Sequence, residues 1–403
     1  MRKLLALMIA AMLLLSSCGT HSYVDINPHL SAGSASVGPE EVLTASNYAE
    51  LRSAILRLVE EGMEEGAINL MGYEGYAESD LRTACSEVTK SEPLGVYGVE
   101  YMSYTPPVRV LTNYETSVSI TYSKTPEQLE AVKKVSGAWD FREELYALMD
   151  SLGTELVVDT AYFVAENYDA DSLIERYMNE NPAFSVENPS VEVNMYPTSG
   201  LHRIIEVKLE YKSSEEELER RRSALAEAIG AMTADIDRDV LGDAETVREL
   251  VRALGEWSEF LPEREDDLTG SVARDDTFTA YGALAEGSAA SEGYALALKA
   301  LCSEVGLDAR IVNGRWNGIS HRWNLVEVEG SWYHVDAALC DYYGDDSYLL
   351  KTDEEIGDTL KWNPQGLPER ATEPLSGDEL PVIDPISAEG TEIAVNSTER
   401  ADN

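Results

Sequence analysis

Cysteine is scarce in this chain, with 4 residues in 403, at positions 18, 85, 302 and 340. No two of them have the C-x-x-C spacing, and so sparse a set argues against a zinc site and against a disulfide framework. One pair, Cys302 with Cys340, stays open, although nothing in the sequence demands it. We therefore expect neither a metal site nor a cofactor site.

Basic residues are also few, because 31 Lys and Arg face 74 Asp and Glu, for a formal net charge of −43. An acidic surface repels nucleic acid, so we expect no nucleic-acid partner. Such a surface favours cationic peptides, amines or divalent ions. The simpler alternative is that the charge only keeps the protein soluble.

Long apolar runs are lacking as well, apart from residues 4 to 15 near the start of the chain. This run follows Met1-Arg2-Lys3 and is too short to span a membrane, which is typical of a secretory signal peptide. Its ending, Leu15-Ser-Ser-Cys18, resembles the lipobox of bacterial lipoproteins. The sequence thus predicts a signal at 1–17, a lipidated Cys18 and a flexible tether over 18–41.

That lipid would be the protein's sole membrane contact, on the extracytoplasmic side of the cell membrane. An ordinary signal peptide with an incidental cysteine is the alternative.

Two stretches of the chain correspond to each other like a tandem repeat. Val118 to Tyr122 and Ile205 to Tyr211 alternate like half-buried strands, and a helix start follows each one. The two tyrosines that end these strands lie 89 positions apart, and upstream strands and helices correspond too. We expect two small α+β modules, at 42–135 and 140–233.

A third region is expected at 235–365, with a helix from Asp243 whose apolar face includes Val247, Leu250, Val251, Leu254 and Trp257. From about residue 366 the chain is rich in proline and acidic residues without periodicity. This composition predicts an acidic mobile tail at 366–403.

Three short motifs within the third region occur in a familiar order. They are Ser291-Glu-Gly-Tyr-Ala295, His321-Arg-Trp-Asn324 and Trp332-Tyr-His-Val-Asp336. The order resembles that of the transglutaminase-like superfamily of papain-type thiol enzymes. The resemblance implies a C-terminal α+β, papain-like domain with a Cys, His and Asp at its catalytic centre.

In that resemblance Ser291 stands where the nucleophilic Cys is expected, while His321 and Asp336 match. The candidate catalytic residues are thus Ser291, His321 and Asp336. The candidate supporting residues are Gly293, Tyr294, Trp323, Asn324 and Trp332.

Local patterns predict how the three candidates meet. Residues 295–303 favour a helix with Ser291 at its start, where backbone N–H groups favour a negative charge. A two-residue turn at Glu329-Gly330 would pair position 321 with 338, making His321 and Asp336 diagonal neighbours about 7–8 Å apart at the backbone. Taken singly, Ser291 could be a helix N-cap, His321 a sheet residue and Asp336 a turn cap.

A hydroxyl cannot ionise before attack as a thiol can, so serine in a thiol-shaped site should lose most of the rate. Cys302 lies about 16 Å farther along the same helix, too far to substitute, and Cys340 lies beyond the Asp336 strand.

We therefore expect a catalytically impaired domain that binds a peptide or protein ligand in its cleft or acts as a scaffold. The alternative is an active hydrolase or acyltransferase on peptide or isopeptide amides, using Ser291 as nucleophile, His321 as base and Asp336 as orienter.

Overall fold

The computed structural model describes residues 42–269 and 275–375 and divides the chain into two units, residues 1–131 and 132–403. The predicted signal peptide, Cys18 and tether lie outside the described residues, as does the acidic segment 376–403. Within the described part of the chain, no helix has both the length and the apolar character needed to cross a membrane. The fold is mixed α+β, with several sheets and helices.

The first unit is a sheet covered by helices. Its elements are β1 (Leu43–Ala45), α1 (Tyr48–Glu60), β2 (Glu65–Leu70), α2 (Ala77–Ser91), α3 (Pro93–Gly98), β3 (Val99–Tyr104), β4 (Val108–Val110), β5 (Asn113–Tyr122) and α4 (Pro126–Glu130). The strand order is β1-β2-β5-β3, with β4 also on β5. The β1–β2 pair is parallel and the others are antiparallel. Helix α1 packs on the sheet because Leu51, Ile55 and Leu58 recur at helical spacing and are buried.

The second unit opens with a sheet of the same design. Its elements are β6 (Lys133–Val135), α5 (Ala138–Asp150), β7 (Glu155–Thr160), α6 (Ala170–Glu180), β8 (Ser190–Tyr196), β9 (Arg203–Glu210) and α7 (Glu215–Thr233). The strand order is β6-β7-β9-β8. As in the first sheet, the first two strands are parallel and the remaining pairs are antiparallel.

Two predicted module boundaries need correction. Residues 133–135, assigned from sequence to the end of the first module, form β6 and pair with β7 in the second sheet. Helix α7, assigned to the second module, buries Leu218, Leu225 and Ile229 in the core of the C-terminal region. The strand pairing and the buried helix face decide these boundaries, and neither is visible in a local repeat pattern.

The C-terminal region packs helices against an antiparallel sheet. Its elements are α8 (Arg238–Leu241), α9 (Asp243–Trp257), β10 (Glu259–Phe260), β11 (Ser288–Ala289), α10 (Ser291–Glu304), β12 (Ala309–Trp316), β13 (Ile319–Val328), β14 (Ser331–Val335), α11 (Ala337–Tyr343), α12 (Asp353–Ile356) and β15 (Leu360–Trp362). The sheet order is β14-β13-β12-β15. Helix α10 is buried along most of its length and is the central element of this core.

Helix α9 begins at Asp243 as expected, and four of its five predicted core residues are buried. Trp257 is the exception, since its side chain is 55% exposed at the last turn of the helix. Strand β14 ends at Val335, and α11 begins at Ala337.

The first ten residues of the predicted tail, 366–375, pack on the domain. Ala371 donates its N–H to the carbonyl of Trp332, and Arg370 binds the Asp353 carboxylate at 2.8–3.0 Å. The prediction of a mobile tail from residue 366 is therefore wrong for this segment, because an edge strand and a carboxylate hold it. Cys85, Cys302 and Cys340 are all free and buried, so no Cys302–Cys340 disulfide forms.

Candidate active site

The β13–β14 hairpin brings His321 and Asp336 together. Val328 pairs with Ser331 and Asn324 with Val335, so the turn has the two residues Glu329 and Gly330, both with positive φ. The predicted register is confirmed over residues 324–328 and 331–335, but position 321 does not pair with 338, because residue 338 lies in α11. His321 Nε2 lies 2.7 Å from Asp336 Oδ2.

Asp336 has a second contact that fixes its direction. It is the N-cap of α11, and its Oδ1 accepts the Leu339 N–H at 3.0 Å. The carboxylate therefore caps a helix with one oxygen and holds the imidazole with the other. Asp336 therefore has both predicted geometries, because it caps the turn after its strand and it also holds the imidazole of His321.

Ser291 is the first residue of α10, as the helix pattern predicted, but it is not the N-cap. That position belongs to Ala290, whose own side chain makes no capping hydrogen bond. The Ser291 hydroxyl accepts the Arg322 N–H at 3.1 Å and donates to Glu265 Oε2 at 2.7 Å. The N-cap explanation for a serine at this position is therefore wrong.

The Glu265 carboxylate lies between Ser291 and His321. Its Oε2 accepts from Ser291 Oγ and contacts His321 Nδ1 at 2.9 Å, and its Oε1 accepts the Ser291 backbone N–H at 2.8 Å. Among the described residues, no hydrogen bond joins Ser291 to His321. The array runs from Ser291 through Glu265 to His321 and Asp336, which differs from a nucleophile–base–orienter triad.

His321 is held as an imidazolium between these two carboxylates. Burial favours the neutral ring, but the charge and hydrogen bond of Asp336, with those of Glu265, raise the pKa of His321 to about 9. Both ring nitrogens then donate a proton at neutral pH. A charged imidazole cannot accept the proton of a serine hydroxyl.

Burial seals the array from solvent. Ser291 is 0% exposed and His321 and Glu265 are each 1% exposed. The imidazole ring lies beside the rings of Trp316 and Trp323, with centroids 5.8 and 6.1 Å away. In such surroundings a charge without a partner costs several kcal/mol. The charges of His321, Glu265 and Asp336 therefore stabilise one another.

Two of the predicted supporting residues, Gly293 and Asn324, allow helix α10 to pack closely. A Cβ on Gly293 would lie 2.6 Å from the Thr277 carbonyl oxygen and 2.7 Å from the Cβ of Ala289. Asn324 Nδ2 donates to the Ala295 carbonyl at 2.9 Å and so joins β13 to the helix. These residues set the distance between the Ser291 and His321 backbones.

Tyr294 and Trp323 anchor the surroundings of the array. The Tyr294 hydroxyl lies 2.6 Å from the Ser258 carbonyl oxygen and 2.8 Å from Asp341 Oδ2, two acceptors that share its proton. Trp323 stacks on His321 and donates its indole N–H to His334 Nδ1 at 2.8 Å. Their roles are structural, since no contact joins them to Ser291.

Trp332, the remaining predicted supporting residue, lies elsewhere. Its ring lines a separate cavity with Arg310, whose guanidinium carbon is 6.0 Å from the ring centroid. Because side chains alternate across a strand, and the Tyr333 side chain is buried while Trp332 is half-buried, the two tend to opposite faces. The structure therefore places Trp332 at this cavity, whereas its predicted supporting role at Ser291 stays a prediction.

Arg322 connects the site to the preceding sheet-bearing region. Its guanidinium binds Glu292 on α10 and Glu175 on α6, each at 2.7 Å. Its backbone N–H meanwhile binds Ser291 Oγ. Helix α6 is thus tied directly to the strand that carries His321.

Glu265 is the site residue that sequence reasoning missed. It comes from a 3₁₀ segment, Pro262–Thr269, in which several acidic residues stand close together without periodicity. The one available signal was the high number of carboxylates in the segment that precedes Ser291. Nothing local distinguished Glu265 from its neighbours.

The chemistry open to this arrangement is restricted. Cys302 and Cys340 are not alternative nucleophiles, since burial raises the pKa of the Cys302 thiol to about 12 and that of Cys340 further. Within residues 42–269 and 275–375, no group of three His, Cys, Asp or Glu side chains is arranged to hold a metal ion. The array is a buried ion-pair network around a serine.

Comparison with known proteins bears on this region of the chain. The family model for the transglutaminase-like superfamily matches residues 231–337, which include Ser291, Glu265, His321 and Asp336. No curated protein matches the chain.

Two solved structures are similar at low level. One is a TGase that is 12% identical, with a TM-score of 0.27. The aligned part covers 51% of this chain and 58% of the TGase chain. The other is a candidate cysteine protease from Cytophaga hutchinsonii, 12% identical, with a TM-score of 0.24, covering 44% of this chain and 72% of its own. The chain therefore spans less than two thirds of that TGase, and TM-scores this low carry no weight for fold or function. The family match itself identifies residues 231–337 as a transglutaminase-like superfamily domain.

Proposed function

We propose that this protein is a lipid-anchored, extracytoplasmic scaffold or peptide-binding protein whose transglutaminase-like domain is catalytically impaired. The observation that carries the proposal is the Glu265 carboxylate between Ser291 and His321. In papain-type enzymes the histidine is paired with a thiolate. Here a carboxylate occupies the place of that anion beside the imidazolium, so the charge pair persists without the nucleophile.

The geometry gives little support to the alternative, a Ser291-His321-Asp336 hydrolase. A general base must reach the proton that it abstracts and must itself be unprotonated. His321 is charged and donates to Glu265. Glu265 could accept the serine proton only by giving up its ion pair with His321 in a buried site, which is costly.

A ligand that reached Ser291 would have to displace Glu265, because the serine is fully buried. The cleft-bound peptide that we expected from sequence would therefore require the 3₁₀ segment at 262–269 to leave. We infer that binding, if it occurs with this segment in place, uses a surface outside the Ser291 pocket.

The two preceding sheets support a spacer or binding role. We propose that they are a tandem repeat, since both have the strand order and strand directions described above and the repeated sequence elements fall on equivalent strands. Together with a lipidated Cys18 they would carry the transglutaminase-like domain away from the membrane.

A fluorophosphonate probe, which labels activated serines, tests the impaired site. We expect no labelling of the wild-type protein or of Ser291→Ala, while a serine protease in the same tube is labelled. Stoichiometric labelling that disappears in Ser291→Ala would overturn the proposal.

Glu265→Ala separates two causes of inactivity. If this variant is labelled at Ser291, the site is competent and merely blocked by Glu265, and the impairment must be restated as autoinhibition. If it stays unlabelled while its circular dichroism remains native, the chemistry itself is lost, as we propose.

A further inference from the structure

A cavity of about 690 Å³ lies on the second unit, between helix α6, the buried helix α10 and strands β12 and β14. This is within the range of about 300–1,000 Å³ that is usual for ligand sites. The residues that characterise its wall are Arg176, Lys299, Arg310, Asn179, Asn313 and Trp332. None of the six contacts the Ser291 array, so this is a separate site.

The wall is basic in a protein that is strongly acidic. Over the whole chain, 74 acidic residues face 31 basic ones. Five charged residues line the cavity, of which three are basic and two, Glu175 and Glu180, are acidic. Glu175 is already paired with Arg322 at 2.7 Å, a cation that also binds Glu292. The balance of charge at the wall is therefore reversed relative to the rest of the molecule.

Among the described residues, no carboxylate lies within ion-pair distance of Arg176, Arg310 or Lys299, whereas several arginines nearby have such partners. Arg322, Arg221 and Arg370 all have carboxylates within 3.5 Å. Within the described part of the chain, neither Arg176 nor Arg310 has a carboxylate within the 4.0 Å of an ion pair. The chain is rich in carboxylates, yet none of the described ones pairs with these two guanidinium groups. Both groups are therefore available to a ligand.

Lys299 places a third positive charge at the base of the cavity. Its side chain comes from α10, is 9% exposed, and donates to the backbone carbonyl of Asn179. Burial, and then the charge of Arg310, lower the pKa of Lys299, while Glu180 and Asp308 act in the opposite direction. An anion in the cavity would offset the repulsion from Arg310 and favour the charged form of the lysine.

One wall offers a flat apolar surface beside these charges. The half-buried Trp332 ring lies under Arg310, and Leu367 and Pro368 complete that side. Arginines that stack on an aromatic ring keep their N–H groups free to bind carboxylate oxygens in pairs. The cavity thus combines carboxylate recognition with an apolar contact.

We propose that this cavity binds an acidic peptide segment, with carboxylates on Arg176, Arg310 and Lys299 and an apolar side chain against Trp332. The large negative charge elsewhere does not prevent this, because the Debye length is about 8 Å at physiological ionic strength and the local charges dominate. The site gives the binding role of the proposed function a location, yet it does not depend on the chemistry at Ser291.

Fluorescence anisotropy with a labelled hexapeptide of alternating glutamate and leucine tests the proposal on the full-length chain at 0.15 M salt. We expect saturable binding, and binding at least about tenfold weaker for the glutamine–leucine counterpart. Arg176→Gln and Arg310→Gln should each weaken binding about tenfold. Both side chains are exposed, so neither change should disturb folding.

Arg315→Gln is the matched control. Arg315 lies on the same strand as Arg310 and is exposed, but it does not line the cavity. We expect its affinity to equal that of the wild type. Equal losses in Arg310→Gln and Arg315→Gln would mean nonspecific attraction and would overturn the site, as would equal affinity for the glutamine peptide or no binding at all.

Displacement by millimolar inorganic phosphate with no glutamate preference would overturn the assignment to carboxylates. The failure of this site and the failure of the proposed impairment are distinguishable. Fluorophosphonate labelling reports on Ser291 alone, and peptide anisotropy reports on the cavity alone.

Discussion

Restoring the expected thiol should fail to restore an activated nucleophile unless Glu265 is changed as well. In Ser291→Cys the new sulfur would stand beside the Glu265 carboxylate, because Ser291 Oγ is 2.7 Å from Oε2. A thiolate there would face a like charge. In the double variant Ser291→Cys, Glu265→Gln the thiolate would face His321 without a competing anion, so its pKa should fall.

The size of the pKa change follows from the Coulomb energy between a thiolate at position 291 and the Glu265 carboxylate. Two unit charges about 4 Å apart interact by about 4 kcal/mol at an effective dielectric constant of 20. That energy corresponds to about 3 pKa units. Starting from an ordinary thiol pKa of about 8.5, we expect the thiol introduced at position 291 to titrate above about 10 in the single variant and near or below about 7 in the double variant.

Ultraviolet absorbance of the thiolate near 240 nm, followed against pH, measures this without any reagent entering the sealed site. Expression from residue 19 onward omits Cys18. Burial raises the pKa of Cys85 to about 11 and that of Cys302 to about 12, and it raises the pKa of Cys340 as well. A thiolate signal below pH 9 therefore reports on position 291.

Iodoacetamide gives an independent readout, since Gln and Glu fill the same space and access should be equal in the two variants. A gain in thiolate of about 500-fold at pH 7, reduced by the lower nucleophilicity of a less basic thiolate, leaves an acceleration of roughly 15- to 30-fold. Titration of the single variant below pH 7 would refute the role of Glu265. An unchanged pKa in the double variant would refute the claim that the charge-pairing framework survives.

Three further outcomes are expected. The pKa of His321 is raised from 6.5 to about 9, so its stabilising contribution of about 3 kcal/mol is present below pH 6.5 and lost as pH rises through 9. Urea unfolding of the wild type and of His321→Gln between pH 6 and 10 measures this contribution. If the free energy of unfolding changed with pH equally in both proteins, the ion-pair array would be contradicted. Gly293→Ala should destabilise the protein by more than about 3 kcal/mol because backbone oxygens block the new Cβ, whereas Gly230→Ala, with open space around it on α7, should stabilise the protein by about 0.5–1 kcal/mol. Calorimetry of both variants measures the two effects. A small loss of stability in Gly293→Ala would mean that helix α10 can move to make room for the Cβ. Cys18→Ser should abolish incorporation of radiolabelled palmitate and release the protein from membranes, and retention of the label would disprove the predicted lipidation site.

Hairpin geometry explains why part of the site could be predicted from sequence. A two-residue turn fixes the register of the strands that it joins, and side chains alternate with a period of two. Local rules therefore place Asn324 opposite Val335, and Asp336, the residue after that strand, lies 2.7 Å from His321. The helix pattern likewise located Ser291 at the start of α10.

Contacts between distant segments could not be predicted in this way. Strands β10 and β11 are parallel and only two residues long, and they bring the chain after Phe260 alongside the chain after Ala289. Glu265 then reaches Ser291 and His321 across 26 and 56 positions of sequence. No local pattern encodes such a path, because it depends on how the whole core closes around α10.

The basic cavity has the same origin, since its cations come from α6, α10 and β12 and meet only when these elements pack. By itself, the sequence determined that a serine starts helix α10 and that a histidine and an aspartate meet at one hairpin, because residue identity and short-range periodicity suffice for that. The tertiary structure alone decided that the distant Glu265 carboxylate lies beside the histidine. A buried imidazolium needs a counter-charge, and only the packing of the core determines which residue provides it.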